Sequence, residues 1–123
     1  MTTTITPTRK KPRAFFTPAQ REIIKALKQA VCSIYEISEA DFMTLDNHTV
    51  AYLRFYCFWI LAKKASMKET AIAEVFSKAR ATVQYGVEQI ESQRNVYREM
   101  AGELRVIADT ANGYPKKFEW CIQ

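Results

Sequence analysis

Nine consecutive residues, Leu53–Leu61 (LRFYCFWIL), hold eight apolar side chains and a single arginine. A helix at a protein surface keeps one polar face, and this segment has none. It therefore predicts a central helix, from about His48 to Ala65, with neighbours on every side and Asp46 or Asn47 as its N-cap. Three glycines and four prolines in 123 residues are too few for a chain of many strands and tight turns. The neighbours should then be helices as well. The expected class is all-α: a small helical domain with a helix-turn-helix and a long C-terminal helix. A charge inside such a helix costs free energy unless it is paired, so Arg54 needs an edge position or a specific partner.

The flanking pattern supplies those helices. Thr17 followed by Pro18 is a strong start signal. The helix it opens should run to about Tyr35 and bury Ile24, Leu27, Val31 and Ile34, with Ile23 and Tyr35 beside them. Ser38 should cap a short helix, Glu39 to Leu45, whose acidic first turn suits the helix dipole. Phe42 and Leu45 should point inward.

The stretch from Ser66 to Ser92 reads as two short amphipathic helices joined by a tight break. Ser66 and Glu69 have capping-box spacing, which predicts a helix starting at Met67. Ala71, Ile72, Val75 and Phe76 lie on its apolar side, and the small Ala73 suits a close crossing. The periodicity fails at Ser77-Lys78-Ala79 and resumes at Val83, Val87 and Ile90. This is helix-turn-helix spacing. With Val83 facing the core, Ala81, Tyr85 and Glu88 face outward and Thr82 and Gln84 lie on the flanks. Lys78 and Arg80 stand at the N-terminal end. A recognition helix reads bases with its first turns, and Arg–guanine and Gln–adenine are pairings that geometry favours. The plain alternative is a helical hairpin with a solvated charged face.

The formal charge of +5 is uneven. Arg9, Lys10, Lys11 and Arg13 lie in a Thr-rich segment broken by Pro7 and Pro12. Residues 1–16 are read as a flexible basic arm that lies on phosphates, or else as a solubilising tail. Between Arg54 and Arg80 six basic residues, Lys63, Lys64, Lys68 and Lys78 among them, face only two acids. Clustered positive charge about a helical pair is the footprint of nucleic-acid binding. Cys32, Cys57 and Cys121 lie far apart and His48 is alone, so neither a metal site nor a disulfide framework is expected. Reduced thiols and the lack of a leader or a long apolar run give a cytoplasmic expectation. Nothing pairs a nucleophile with a base or cradles a phosphate, so no enzyme, cofactor or small-molecule substrate is expected.

The order of these elements from Val31 to Ser92 resembles the C-terminal DNA-binding domain of the bacterial replication initiator DnaA, in the helix-turn-helix group that includes the Trp repressor. VCSIYEISEADF is similar to the segment that opens that domain. Arg54 to Lys64 resembles its next helix, and SMKETAIAEVF resembles a Ser-capped helix of the type S-x-x-x-I-[GA]-x-x-F. Thr82-Val83 and Ile90-Glu91 match its recognition helix. The resemblance implies binding to double-stranded DNA without the initiator's ATPase, as in replication or transcription control of a phage or mobile element. It implies a minor-groove role for Arg54 and phosphate contacts through Ser66, Lys68, Lys78 and Thr82. Lys64 flanks the same surface. The family's Asp-His-Ser/Thr signature is replaced here by Ala79, Arg80 and Ala81, and its basic loop by LDNHTV.

Beyond Glu91, helix-favouring sequence continues from Ser92 to about Ala111 and stops at Gly113 and Pro115. Residues 17–92 thus form the helix-turn-helix domain and 93–123 a helical extension and tail. The stripe of Tyr97, Met100, Leu104 and Ile107 has to be covered. It either folds back on the first helix or pairs two copies in a homodimer suited to a symmetric DNA site. Phe118, Trp120 and Ile122 alternate in the tail. The competing functional expectation is a helical protein–protein interaction module with a decayed DNA surface.

Overall fold

The computed structural model describes residues 17–113, and the basic arm and the aromatic tail lie outside these residues. Six helices and no strand occur among them: α1 Pro18–Tyr35, α2 Glu39–Thr44, α3 His48–Lys63, α4 Glu69–Phe76, α5 Arg80–Gln93 and α6 Arg98–Asn112. The all-α class holds.

The first three helices start where their caps dictate. The Thr17 hydroxyl accepts from the Gln20 amide at 3.0 Å while the Gln20 side chain accepts from the Thr17 amide at 3.1 Å. Ser38 and Asn47 each cap the amide three residues on, at 3.1 and 2.9 Å. These bonds satisfy donors that have no partner inside the helix. Leu45 does not pack inward as expected. It follows the end of α2 and is 41% exposed, and Phe42 alone from that helix enters the core.

α3 is the axis. Every residue from Leu53 to Leu61 is buried, Arg54 included. α5 packs on α3, α4 on α5, and α6 on α1. α5 meets α3 tightly at Gly86, where an added Cβ would sit 2.5 Å from Cδ1 of Phe55. Only hydrogen fits there, which the periodicity of α5 did not reveal.

The expected continuous helix from Ser92 to Ala111 is two helices. α5 ends at Gln93, and the Gln93 carbonyl accepts from the amides of both Val96 and Tyr97, at 2.9 and 2.8 Å. The chain reverses and α6 returns over α1. Leu104, Ile107, Ala108 and Ala111 are buried in the same core cluster as Leu27 and Val31. Of the two covers expected for this stripe, the same chain supplies that of Leu104 and Ile107, and Met100 is partly buried against the core. Tyr97 alone of that stripe is well exposed. A polar clamp ties α6 down. The Tyr56 hydroxyl donates to the Glu103 carboxylate at 2.5 Å, and Tyr35 faces the same carboxylate. Burial and the Glu103 charge push the Tyr35 hydroxyl up to about 12.

Two glycine substitutions should act with opposite sign. Gly86→Ala should lower the unfolding free energy by about 1–3 kcal/mol through overpacking against Phe55. Gly102→Ala meets no atom within 4 Å and should raise it by about 0.4–1 kcal/mol. Urea titrations of the two variants check both. The Tyr35 shift makes a third prediction. A hydroxyl whose folded pKa lies above its usual value stabilises the fold fully below about pH 10, and that stability is lost as pH rises toward 12. Urea midpoints should therefore fall more steeply above pH 10 in the native protein than in Tyr35→Phe.

Candidate nucleic-acid interface

The turn from α3 into α4 departs from the capping-box expectation. Ser66 takes a left-handed backbone (φ 56°) and its side chain caps nothing. The amide of Met67 donates back to the Leu61 carbonyl at 3.0 Å, and the Met67 side chain is buried. Pulling Met67 inward closes α3 and delays α4, which begins at Glu69 with Lys68 as N-cap residue and no side-chain cap.

The break between α4 and α5 is where the spacing puts it. Ser77 is left-handed (φ 55°), and the Lys78 amide donates to the Ala73 carbonyl at 3.0 Å, a bond typical of a helix end that glycine usually occupies. α5 then starts at Arg80 behind Ala79, which offers no side-chain cap. Val83, Gly86, Val87 and Ile90 are buried, so Arg80, Ala81, Thr82, Gln84 and Tyr85 form the outer side of its first two turns, and all five are exposed. Tyr85 is 55% exposed, with its ring edge-on to Phe55 at 5.9 Å. Gln84 lies 3.4 Å from Glu88, the acid that shares this side.

The starts of α4 and α5 meet across one groove, bordered by Lys63, Lys68, Glu69, Thr70 and Arg80. The Arg80 guanidinium, 62% exposed, stands 3.8 Å from the Glu69 carboxylate. Uncapped amides at both helix starts add donors beside these cations. Lys63 was expected only as one of the clustered basic residues and not as a DNA contact. It joins the groove because the last turn of α3 lies over the start of α4, a juxtaposition that spacing along the chain does not encode. Ser66 is exposed in the adjoining turn and Lys78 is half-buried in the next one.

Two of the expected DNA contacts sit elsewhere. Arg54 is 4% exposed: its Nη1 donates to the Phe42 carbonyl at 2.8 Å and its Nη2 lies 3.7 Å from Asp46. It satisfies a carbonyl in the last turn of α2, where helix carbonyls lack a helical partner, so it cannot reach a minor groove. Lys64 lies over the Trp59 ring at 5.6 Å. On that ring the Arg94 guanidinium also stacks, at 4.7 Å. The Trp59 indole donates to Glu91 at 2.7 Å, which chiefly holds the Glu91 carboxyl below its usual range, and Arg94 adds an ion pair at 3.6 Å. This cluster fixes the end of α5. Among the described residues no group of three His, Cys, Asp or Glu side chains could hold a metal ion, and no helix is long and apolar enough to cross a membrane.

Comparison with models of known families, with curated proteins and with solved structures found no match.

The burial of Arg54 makes it a stability residue. Arg54→Met should keep most of the packing, strand the Phe42 carbonyl and cost about 1–3 kcal/mol, read as a lower urea midpoint.

Proposed function

We propose that the protein binds double-stranded DNA, with α5 entering the major groove and the start of α4 resting on the phosphate backbone. One observation carries this reading. The first two turns of α5 present Arg80, Ala81, Thr82, Gln84 and Tyr85 outward on a helix whose other side is buried, beside a groove that holds Lys63 and Lys68. In this arrangement Arg80 and Gln84 meet base edges, and Lys63, Lys68 and Thr82 meet phosphates. The likeness in element order to the DnaA C-terminal domain supports the same reading and a cytoplasmic role in replication or transcription control. Glu69 acts within the groove as an internal counter-ion that holds Arg80 near 3.8 Å until a phosphate or a base competes for it.

A second reading rests on Val96, Tyr97 and Val106, which are large, apolar and more than half exposed on the turn before α6 and on α6 itself. Such side chains suit a protein partner.

Fluorescence anisotropy of the protein with random-sequence duplex DNA at two salt concentrations tests the choice. DNA binding should weaken by orders of magnitude from low to moderate salt. Lys68→Ala should weaken all sequences alike and reduce the salt slope by about 1, whereas Arg80→Ala should cost about 1–3 kcal/mol on the preferred site and relax its specificity. Glu69→Gln should tighten binding to every sequence. An absence of binding at low salt would refute the DNA reading and favour the surface around Tyr97.

A further inference from the structure

We infer that Ala81 and Tyr85 select thymine, by holding its C5 methyl group against an apolar row on α5. The inference rests on the DNA reading above and adds to it the base that this row prefers. Val83, Gly86, Val87 and Ile90 are buried and so decide which side of α5 faces out. With about 3.6 residues per turn, Ala81 and Tyr85 lie opposite them, in the middle of the outward side. Arg80 and Gln84 form the neighbouring row, and both rows repeat at i, i+4. A row of polar heads thus runs beside a row made of a methyl group and an aromatic ring.

The Tyr85 ring is 55% exposed and stands edge-on to Phe55, with centroids 5.9 Å apart and planes at 75°. It therefore has a buried neighbour on its core side and a free surface beyond it. Helix side chains lean toward the N-terminus, which brings the ring over the turn that carries Ala81. Glu88 continues the middle of this side one turn on and lies 3.4 Å from Gln84, so the apolar row ends at Tyr85. The major-groove edges of the bases carry donors, acceptors and one apolar substituent, the thymine methyl. A ring pressed on a donor or acceptor would strip it of water without replacing the hydrogen bond. Against a methyl group the same burial is favourable. The row is two side chains long and bordered by Arg80, Thr82 and Gln84, so it matches a methyl group and not the broad apolar patch that a protein partner would meet.

The test uses the full chain and the duplex that it enriches from the random-sequence pool. A second duplex carries deoxyuridine for every thymidine, which removes the methyl groups and leaves each hydrogen-bonding edge in place. The native protein should bind the deoxyuridine duplex at least about threefold more weakly, the worth of about one buried methyl group. Replacing one thymidine at a time should trace the loss to one or two adjacent positions. Tyr85→Ala should bind the two duplexes alike, with an unchanged circular dichroism spectrum, and Tyr85→Phe, which keeps the ring, should restore the difference. Equal affinity of the native protein for the two duplexes would overturn the inference and leave the DNA reading standing. So would a Tyr85→Ala variant that still discriminates between them. A failure to bind any duplex at low salt would remove the DNA reading itself and this inference with it.

Discussion

The direction in which every outer residue of α5 points follows from the contact between Gly86 and Phe55. α5 can lie this close to α3 because hydrogen replaces a methyl at the crossing. With that face committed, Val83, Val87 and Ile90 turn inward with it, and Arg80, Ala81, Thr82, Gln84 and Tyr85 are left outside. Phe55 is held in turn by rings on both sides, Tyr52 at 5.1 Å and Phe58 at 6.0 Å. The outer surface is thus a consequence of packing on the inner one, and a shift of the crossing would re-aim the whole set.

Charge in a sequence and charge on a surface are different quantities. The six basic residues between Arg54 and Arg80 look like a single cationic patch in the chain. In three dimensions Arg54 closes α2 from inside, Lys64 lies over Trp59, and Arg80 stands beside Glu69. The groove keeps Lys63, Lys68 and Arg80 against one acid. Arg21, Lys25 and Lys28, which drew no notice in a chain segment of mixed charge, gather on one side of α1 because four- and three-residue steps repeat the same face.

Much of the fold was legible because its signals are local. Caps at Thr17, Ser38 and Asn47, the all-round apolar α3 and the failure of periodicity at Ser77 each depend on a few neighbouring residues. The misreadings share a cause: tertiary contacts overruled local preference. Ser66 and Glu69 have capping-box spacing, but burying Met67 takes Ser66 into a left-handed turn and moves the helix start to Glu69. No Gly or Pro marks the end of a helix at Gln93. The turn is closed by the Gln93 carbonyl and by the Asn95 side chain, which donates to the Glu91 carbonyl at 3.3 Å, while Arg94 lies over Trp59, thirty-five positions earlier in the chain. The cover over Leu104 and Ile107 was one of two open choices, because an apolar stripe does not say whether its partner is the same chain. Within the candidate interface, the outward set on α5 was readable from the position of Val83 alone, whereas the place of Lys63 and the removal of Arg54 needed the packing of α3.

α5 is held unevenly along its length. At its far end Trp59 bonds Glu91, Arg94 stacks on the same indole, and Gln93 donates to the Tyr52 hydroxyl at 3.1 Å. At its near end Ala79 contributes no side-chain bond. The helix is therefore a cantilever, bonded by side chains at its base and uncapped at the tip that carries Arg80, Ala81 and Thr82. Local opening in such an element needs least free energy at the free end and most near the anchor. Fraying therefore costs least ahead of Val83, whose burial holds the axis that aims the first turn against the core.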